Sequence, residues 1–245
     1  MSTLRLARFL ARAGVSSRRG AADLVAAGRV RINGKPPLGP GDPVDPAADR
    51  VTLDGRPLRL AAAAWLLMNK PPGVETSRRA SARYPSVFGL LPDAPTALVS
   101  VGRLDVMSEG LLLFTTDGDL AARLMHPGYQ VPRSYRVDVS SVPDAAAKRA
   151  LDRGVKLADE ARPVMVRHWQ FKADSGGGTL ELELAEGRSR VVRRICAELE
   201  LGVRMLTRVA YGPLSLGSLA RGRSRPLTGA ERTSLYAAVG LEPPP

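Results

Sequence analysis

An arginine and an aspartate stand two residues apart in a stretch typical of a loop that enters a buried strand. Arg103 and Asp105 belong to the turn-forming segment Gly-Arg-Leu-Asp, and the apolar run Gly-Leu-Leu-Leu-Phe-Thr-Thr follows at residues 110–116. Loops held by a rigid sheet often carry functional side chains, so Asp105 is a candidate catalytic carboxylate. The residue types also suit a plainer interpretation, in which Asp105 forms the turn and Arg103 is solvated.

The element that must position Asp105 is the apolar run that follows it. Its length and aliphatic content predict a buried strand, which Asp-Gly at residues 117–118 ends. Thr228 and Glu231 form a capping-box pattern that predicts a helix through Val239. Apolar periodicity predicts further strands at residues 65–68, 131–139, 161–171, 179–185 and 203–209, and further helices at residues 119–125 and 143–151.

The N-terminal part of the chain has the pattern of a separate small domain. Two short helices are predicted before residue 28, followed by strands at residues 30–32 and 51–53, with an ordered loop at 36–50 between them. Four alanines at residues 61–64 suit a linker or a short helix. The expected boundaries are 1–60 for the small domain, 61–64 for the linker, 65–240 for the large domain and 241–245 for a frayed tail.

Charge and composition narrow the class of protein. The formal net charge of +12 comes mainly from arginine, whose planar fork suits phosphate, so we expect a polyanionic partner. Cys196 is the single cysteine, which excludes an internal disulfide, and two distant histidines make a zinc site improbable. The sequence has no P-loop, dinucleotide fingerprint or membrane-length apolar run. Its basic, amphipathic first residues lack the continuous apolar core of a signal peptide, so we expect none. We therefore expect a soluble, cytoplasmic protein without a zinc site, and we also expect it to be a monomer.

Three pieces of the central stretch carry a resemblance to a known family. Residues 102–105, 108–113 and 116–118 (Gly-Arg-Leu-Asp, Ser-Glu-Gly-Leu-Leu-Leu and Thr-Asp-Gly) resemble the catalytic loop of RNA pseudouridine synthases, more narrowly of the RsuA/RluB type that acts on ribosomal RNA. The resemblance implies that Asp105 is the essential catalytic residue. It also implies that Arg103 occupies the space left when the target base is flipped out of the RNA.

Two further segments of the large domain match the same family. Residues 69–74 resemble its Lys-Pro-x-Gly-Val turn, in which Lys70 could meet RNA phosphate or be an ordinary surface lysine. Tyr135 matches the tyrosine of a Lys-x-Tyr motif, where Arg133 replaces the lysine and would also meet RNA. By resemblance, Tyr135 stacks on the uracil or transfers a proton. Its ordinary pKa of about 10 makes stacking the first choice.

The basic run at residues 186–195 resembles the family motif Gly-Arg-x-x-Gln-apolar-Arg. Its final arginine, Arg193, is the one that pairs with the catalytic aspartate in the family, whereas Val191 stands where glutamine is usual. The run also has the composition of a basic amphipathic helix, which could equally present a solvated face. Arg188 and Arg190, near its start, are the expected RNA contacts. Leu206, in the predicted strand at 203–209, corresponds to an apolar residue that lines the active site.

Residues 4–57 are similar to the S4-type RNA-binding module. Its basic side chains could neutralise RNA phosphates. Arginines that are merely solvated on amphipathic helices would give the same sequence pattern. The combined resemblance implies an α+β chain: a small S4-type domain, then a domain with a mixed, largely antiparallel sheet and flanking helices. The expected RNA contacts in the small domain are Arg12, Arg18, Arg19, Arg29 and Arg31.

The function implied by the resemblance is isomerisation of a uridine in ribosomal RNA, either naked or within an assembly intermediate. The overall pattern favours large-subunit RNA. The reaction requires no cofactor, because the base is detached, rotated and rejoined to the same sugar. The alternative is a non-catalytic ribosome-assembly factor on the same fold, for which Val191 is the only support.

Overall fold

A computed structural model describes residues 3–243, with every side chain in that range except that of Arg18. The predicted RNA contact of Arg18 and the last two residues of the predicted tail lie outside this description. The chain divides into two compact units. The first contains the described residues up to Ala64 together with Asp93–Val99 and Thr115–Gly118, and the second contains Trp65–Pro92, Ser100–Phe114 and the residues from Asp119 onward.

The first unit packs two helices against short strands. Ser17 caps the second helix by accepting a hydrogen bond from Gly20 N, and apolar residues of both helices and of three strands form the core. Residues 61–64 adopt neither helix nor strand. The elements are β1 (Leu4–Arg5), α1 (Leu6–Arg12), α2 (Arg18–Ala26), β2 (Val30–Ile32), β3 (Pro43–Val44), β4 (Val51–Leu53) and β5 (Arg56–Pro57). Antiparallel pairing gives the order β2-β4-β5 and a separate β1-β3 pair.

A nine-stranded sheet is the framework of the second unit. Its main order is β10-β11-β9-β12-β8-β6-β14, with β13 paired to β12 and β7 paired to β8. The strands are β6 (Trp65–Lys70), β7 (Val99–Val101), β8 (Glu109–Thr115), β9 (Arg133–Val139), β10 (Val166–Asp174), β11 (Gly177–Leu184), β12 (Val203–Tyr211), β13 (Leu214–Ser215) and β14 (Ser224–Pro226). Strand β12 runs parallel to β8 and antiparallel to β9, which confirms the predicted mixed sheet.

Four helices flank this sheet and bury two apolar cores against it. One core joins α4 and α5 to β9 and β11, and the other joins α3 and α6 to β6 and β8. The capping box of α6 is confirmed, since Thr228 and Glu231 cap each other's backbone groups. The helices are α3 (Gly118–Met125), α4 (Ala145–Arg153), α5 (Val191–Glu198) and α6 (Gly229–Ala237). Between residues 3 and 243, no helix is both long and apolar enough to cross a membrane.

Candidate active site

A cleft of about 750 Å³ opens on the second unit. It is lined by the loop before β8, by strands β9 and β12, and by the segment that leads into α5. Residues far apart in the chain meet here because β12 lies between β9 and β8 in the sheet. The sequence-predicted residues that line the cleft are Arg103, Asp105, Arg133, Tyr135, Arg188, Arg190 and Leu206.

Hydrogen bonds fix the backbone of the loop that carries Asp105. Thr76 Oγ1 donates to Leu104 O at 2.9 Å, and Gly73 N donates to Val106 O at 2.8 Å. Ser108 N closes the turn onto Asp105 O at 3.0 Å. The side chain of Asp105 is exposed, and no hydrogen bond or ion pair to its carboxylate is found among the described residues. A fixed backbone with an accessible carboxylate suits a group that acts on a bound substrate.

The ammonium group of Lys70 holds this loop by hydrogen bonds to its backbone carbonyls. The sequence predicted either an RNA contact or a surface lysine at this position, and both predictions were wrong. Lys70 is fully buried at the end of β6, so it can be neither an RNA contact nor a surface lysine. Its Nζ donates to Pro71 O at 2.9 Å and Ser108 O at 2.9 Å. It also donates to Asp105 O at 3.2 Å and Val106 O at 3.3 Å. Burial lowers the pKa of Lys70 to about 8, against the opposing influence of the charges of Asp105 and Glu109.

Arg193 contacts the same loop but not the carboxylate with which it was predicted to pair. Its Nη2 donates to Met107 O at 3.0 Å and to Ser108 Oγ at 3.4 Å. Within residues 3–243, no ion pair joins Arg193 to Asp105. The guanidinium reaches the backbone just beyond Asp105, so Arg193 ties the start of α5 to the loop.

Two of the predicted RNA-binding arginines in the cleft are engaged within the protein. Arg133 is buried and donates from Nη2 to Leu124 O and to Tyr211 Oη, each at 3.1 Å. Its guanidinium also lies 5.0 Å from the centroid of the Tyr211 ring. These contacts make Arg133 a buried wall of the cleft instead of a surface phosphate contact.

Arg188 is held by two carboxylates. Its Nε lies 2.5 Å from Glu186 Oε2, and its Nη1 lies 3.5 Å from Glu160 Oε2. Arg103 and Arg190, in contrast, are exposed at the cleft, and Arg190 adopts a positive φ of 52° where it caps α5. The arginines best placed for RNA at this cleft are therefore Arg103 and Arg190.

In the first unit, too, some of the predicted RNA-binding arginines are exposed and one is paired within the protein. Arg19 and Arg31 are exposed, and Arg12 is half-buried. Arg29 forms an ion pair with Asp54, with Nη2 2.5 Å from Oδ2. Arg19 and Arg31 are thus the clearest candidates for phosphate contacts in this unit.

The site also contains a residue that sequence reasoning missed. Arg208 lines the cleft from β12, is only 3% exposed and lies over the Tyr211 ring. A signal was present, because Arg208 follows Leu206 by two residues in a predicted strand and so shares its face. Within the described part of the chain, no group of three or more histidine, cysteine or acidic residues could hold a metal ion.

Comparisons with known proteins agree with this geometry. Residues 64–198 match the family described as RNA pseudouridylate synthase, and residues 4–51 match the S4 domain. The chain belongs to the RNA pseudouridine synthase family. It is an enzyme that converts uridine to pseudouridine in RNA, so the non-catalytic alternative is not retained.

Several relatives align over nearly the whole chain. An uncharacterised RNA pseudouridine synthase of Aquifex aeolicus is 35% identical, over 99% of this chain and 97% of its own length. The ribosomal large subunit pseudouridine synthase B of Pseudomonas aeruginosa is 40% identical, over 98% of this chain and 63% of its own length. The protein of the same name from Shigella flexneri is 39% identical, over 98% of this chain and 84% of its own.

A solved structure supports the same fold. The crystal structure of a pseudouridylate synthase superposes with a TM-score of 0.66 at 28% identity. The match covers 95% of this chain and 99% of the other. The predicted α+β architecture, with an S4 domain before the synthase domain, is thereby confirmed.

Proposed function

We propose that this enzyme isomerises a specific uridine in ribosomal RNA, with Asp105 as the catalytic residue. The observation that carries the proposal is the exposed carboxylate of Asp105, which lies on a loop held by hydrogen bonds from Lys70. The cleft at this loop is also lined by Tyr135 and Leu206. Large-subunit RNA is the favoured substrate. The support for that choice is the name of the Pseudomonas and Shigella relatives, ribosomal large subunit pseudouridine synthase B.

The reaction places opposite demands on the two sides of one bond. The C1′–N1 bond breaks, the uracil turns, and C5 joins C1′ in its place. The sugar carbon becomes electron-poor when its bond to N1 breaks, so a carboxylate beside it acts as nucleophile or stabilises the positive charge. Asp105 is the group we assign to this task. Tyr135 is assigned to pack against the uracil ring.

A uridine stacked in folded RNA cannot reach a carboxylate inside a cleft, so we infer that the base is flipped out. Flipping costs a few kcal/mol, which contacts to the RNA backbone must offset. Exposed Arg103 is positioned at the cleft to take the place of the base. Arg190 there, and Arg19 and Arg31 in the S4 domain, are the proposed phosphate contacts.

Pseudouridine mapping tests the proposal directly. Ribosomal RNA is mapped from cells with and without the protein, and cells that lack it are complemented with wild type or Asp105→Asn. We expect one position to lose its modification and to regain it only with wild type. In vitro, Asp105→Asn should abolish turnover with RNA affinity within about twofold of wild type, because phosphate contacts supply most of the affinity. Unchanged ribosomal RNA, or an active Asp105→Asn variant, would contradict the proposal.

The role of the S4 domain has its own test. Because each phosphate contact contributes about one unit to the slope of log K against log salt, Arg31→Gln should reduce that slope by about 1. The matched control is Arg29→Gln, which makes the same charge change two residues earlier, just before β2, but removes a guanidinium already paired with Asp54. Equal effects of the two substitutions would show that only net charge matters at this face.

A further inference from the structure

The most unusual buried group in the cleft is the guanidinium of Arg208. Among the described residues, its Nε donates to Leu111 O at 2.8 Å, while its Nη2 is buried with no hydrogen-bond partner. Buried charged donors without partners are rare because they are costly, and one that lines a substrate cleft indicates a partner on the substrate.

The sheet places this guanidinium next to the residues assigned to the base. Arg208 is the direct cross-strand partner of Tyr135 in the β9–β12 pair, where opposite side chains are about 5 Å apart at Cβ. It shares its strand face with Leu206. On the other side, β12 and β8 approach so closely that a Cβ at Gly110 would lie 2.3 Å from Arg208 O. Arg208 therefore lies between the loop of Asp105 and the surface assigned to the uracil.

The other arginines of the cleft do not combine burial with a spare donor in this way. Arg133 donates from Nη2 to two oxygens within the protein, and Arg188 is paired with carboxylates. Arg103 and Arg190 are exposed. Arg208 is the buried cation with a donor still to satisfy among the described cleft residues.

We propose that Arg208 donates a hydrogen bond to a carbonyl oxygen of the target uracil and stabilises the negative charge that forms on the base during the reaction. The inference rests on the proposed function. When the C1′–N1 bond breaks, its electron pair stays on the base and spreads from N1 to the carbonyl oxygens. Asp105 meets the electron-poor sugar and Arg208 meets the electron-rich base, so the two charges stabilise the two sides of the breaking bond.

The electrons and protons of the remaining steps balance without another reagent. The electron pair that forms the new C5–C1′ bond comes from the base, and the proton that C5 then releases is replaced by one on N1. The base is therefore anionic only from the breaking of the C1′–N1 bond until the C5–C1′ bond forms, and the proton exchange that follows leaves it neutral. A fixed guanidinium lowers the barrier during that anionic interval.

The test uses a synthetic RNA fragment that contains the mapped uridine. Single-turnover rates and RNA affinities are measured for wild type, Arg208→Met and Arg208→Lys. Arg136→Met serves as the control, because Arg136 follows Tyr135 directly on β9 and so lies on the opposite face of the sheet. It is exposed and pairs only with Glu181 among the described residues. We expect Arg208→Met to slow the reaction about 10- to 150-fold, the value of a charged hydrogen bond, with RNA affinity within about twofold. Arg208→Lys should retain part of the rate, and Arg136→Met nearly all of it.

A second measurement separates contact with the base from a structural role. The target is replaced by 2-thiouridine or 4-thiouridine, whose sulfur is a weak acceptor, and each is combined with each Arg208 variant. At the carbonyl that Arg208 contacts, the slowdown caused by substitution should shrink to less than about threefold, because the interaction is already lost. If the contacted oxygen is O4, the hydrogen bond from Arg208 would also discriminate against cytosine, which carries an amino donor at that position.

Several results would overturn the proposal. These are a wild-type rate for Arg208→Met, an equal loss of RNA affinity and rate, or a slowdown that is the same on oxygen and sulfur substrates. If Arg208→Met does not fold, the same comparison with Arg208→Lys decides. Absence of wild-type turnover on the mapped RNA would instead count against the proposed function.

Discussion

Replacing Lys70 with methionine tests whether a buried ammonium group holds the catalytic loop in place. Methionine fills a similar volume without the charge or the donors. The substitution removes every hydrogen bond from Nζ to the carbonyls of Pro71, Asp105, Val106 and Ser108. Two of these bonds are 2.9 Å long and two exceed 3.1 Å, and an ammonium has three protons to share among them.

Two opposing effects determine the size of the loss. Each buried carbonyl left without a donor costs about 1–3 kcal/mol, whereas removing a buried charge returns several kcal/mol of desolvation. Counting the two short bonds in full and the longer pair as one, we expect the unfolding free energy to fall by about 2–4 kcal/mol. The effect on turnover should be larger, since a displacement of about 1 Å at a reacting group can cost about 100-fold in rate.

The measurements are urea unfolding, RNA affinity and single-turnover rate, each made on Lys70→Met beside Lys148→Met. Lys148 is an exposed residue of α4, so its substitution makes the same charge change without touching the loop. We expect Lys148→Met to behave like wild type in all three. If Lys70→Met kept both a wild-type rate and a wild-type unfolding free energy, the role assigned to the ammonium would be refuted.

Three further predictions follow from the ionisable groups. Because the pKa of Lys70 is lowered to about 8, turnover should fall as pH rises through 8 and the loop loses a donor, and this fall should be absent from Lys70→Met. Lys70 keeps its proton to higher pH in the unfolded chain than in the folded protein, so the contribution of Lys70 to the unfolding free energy should increase above pH 8. A fall in unfolding free energy together with turnover above pH 8 would contradict the lowered pKa of Lys70. Arg225 lowers the pKa of Glu231 to about 2 from its ordinary 4.5. Glu231→Gln should therefore cost about 1 kcal/mol of unfolding free energy at pH 7, a difference that fades as pH falls from 4.5 towards 2. Burial raises the pKa of Cys196 to about 12, so iodoacetamide at pH 8 should label it only after unfolding, and rapid labelling of the native protein would show that α5 opens.

Local patterns were sufficient to predict most of the elements. The apolar run after Asp105 became β8, the capping box at Thr228 became the start of α6, and the helix pair of the S4 domain formed as expected. Each of these depends on neighbours along the chain: side-chain periodicity, a cap or a turn residue. The family motifs, being contiguous, likewise pointed to Asp105, Tyr135 and Leu206, which line one cleft.

What only the tertiary structure decided is the partner of each charged side chain. Lys70, Arg193 and Arg208 look alike in sequence, as basic residues of an RNA-binding protein. The fold buries Lys70 among loop carbonyls, turns Arg193 to the backbone of the same loop, and leaves Arg208 buried with a donor facing no described partner. Whether a charged side chain is buried and paired depends on strands that are distant in the chain, here β6, β8 and β12. A buried charge is stabilised when it has hydrogen-bond partners and is costly when it has none. Sequence alone therefore identifies the residue types of this site, whereas strand pairing determines their roles.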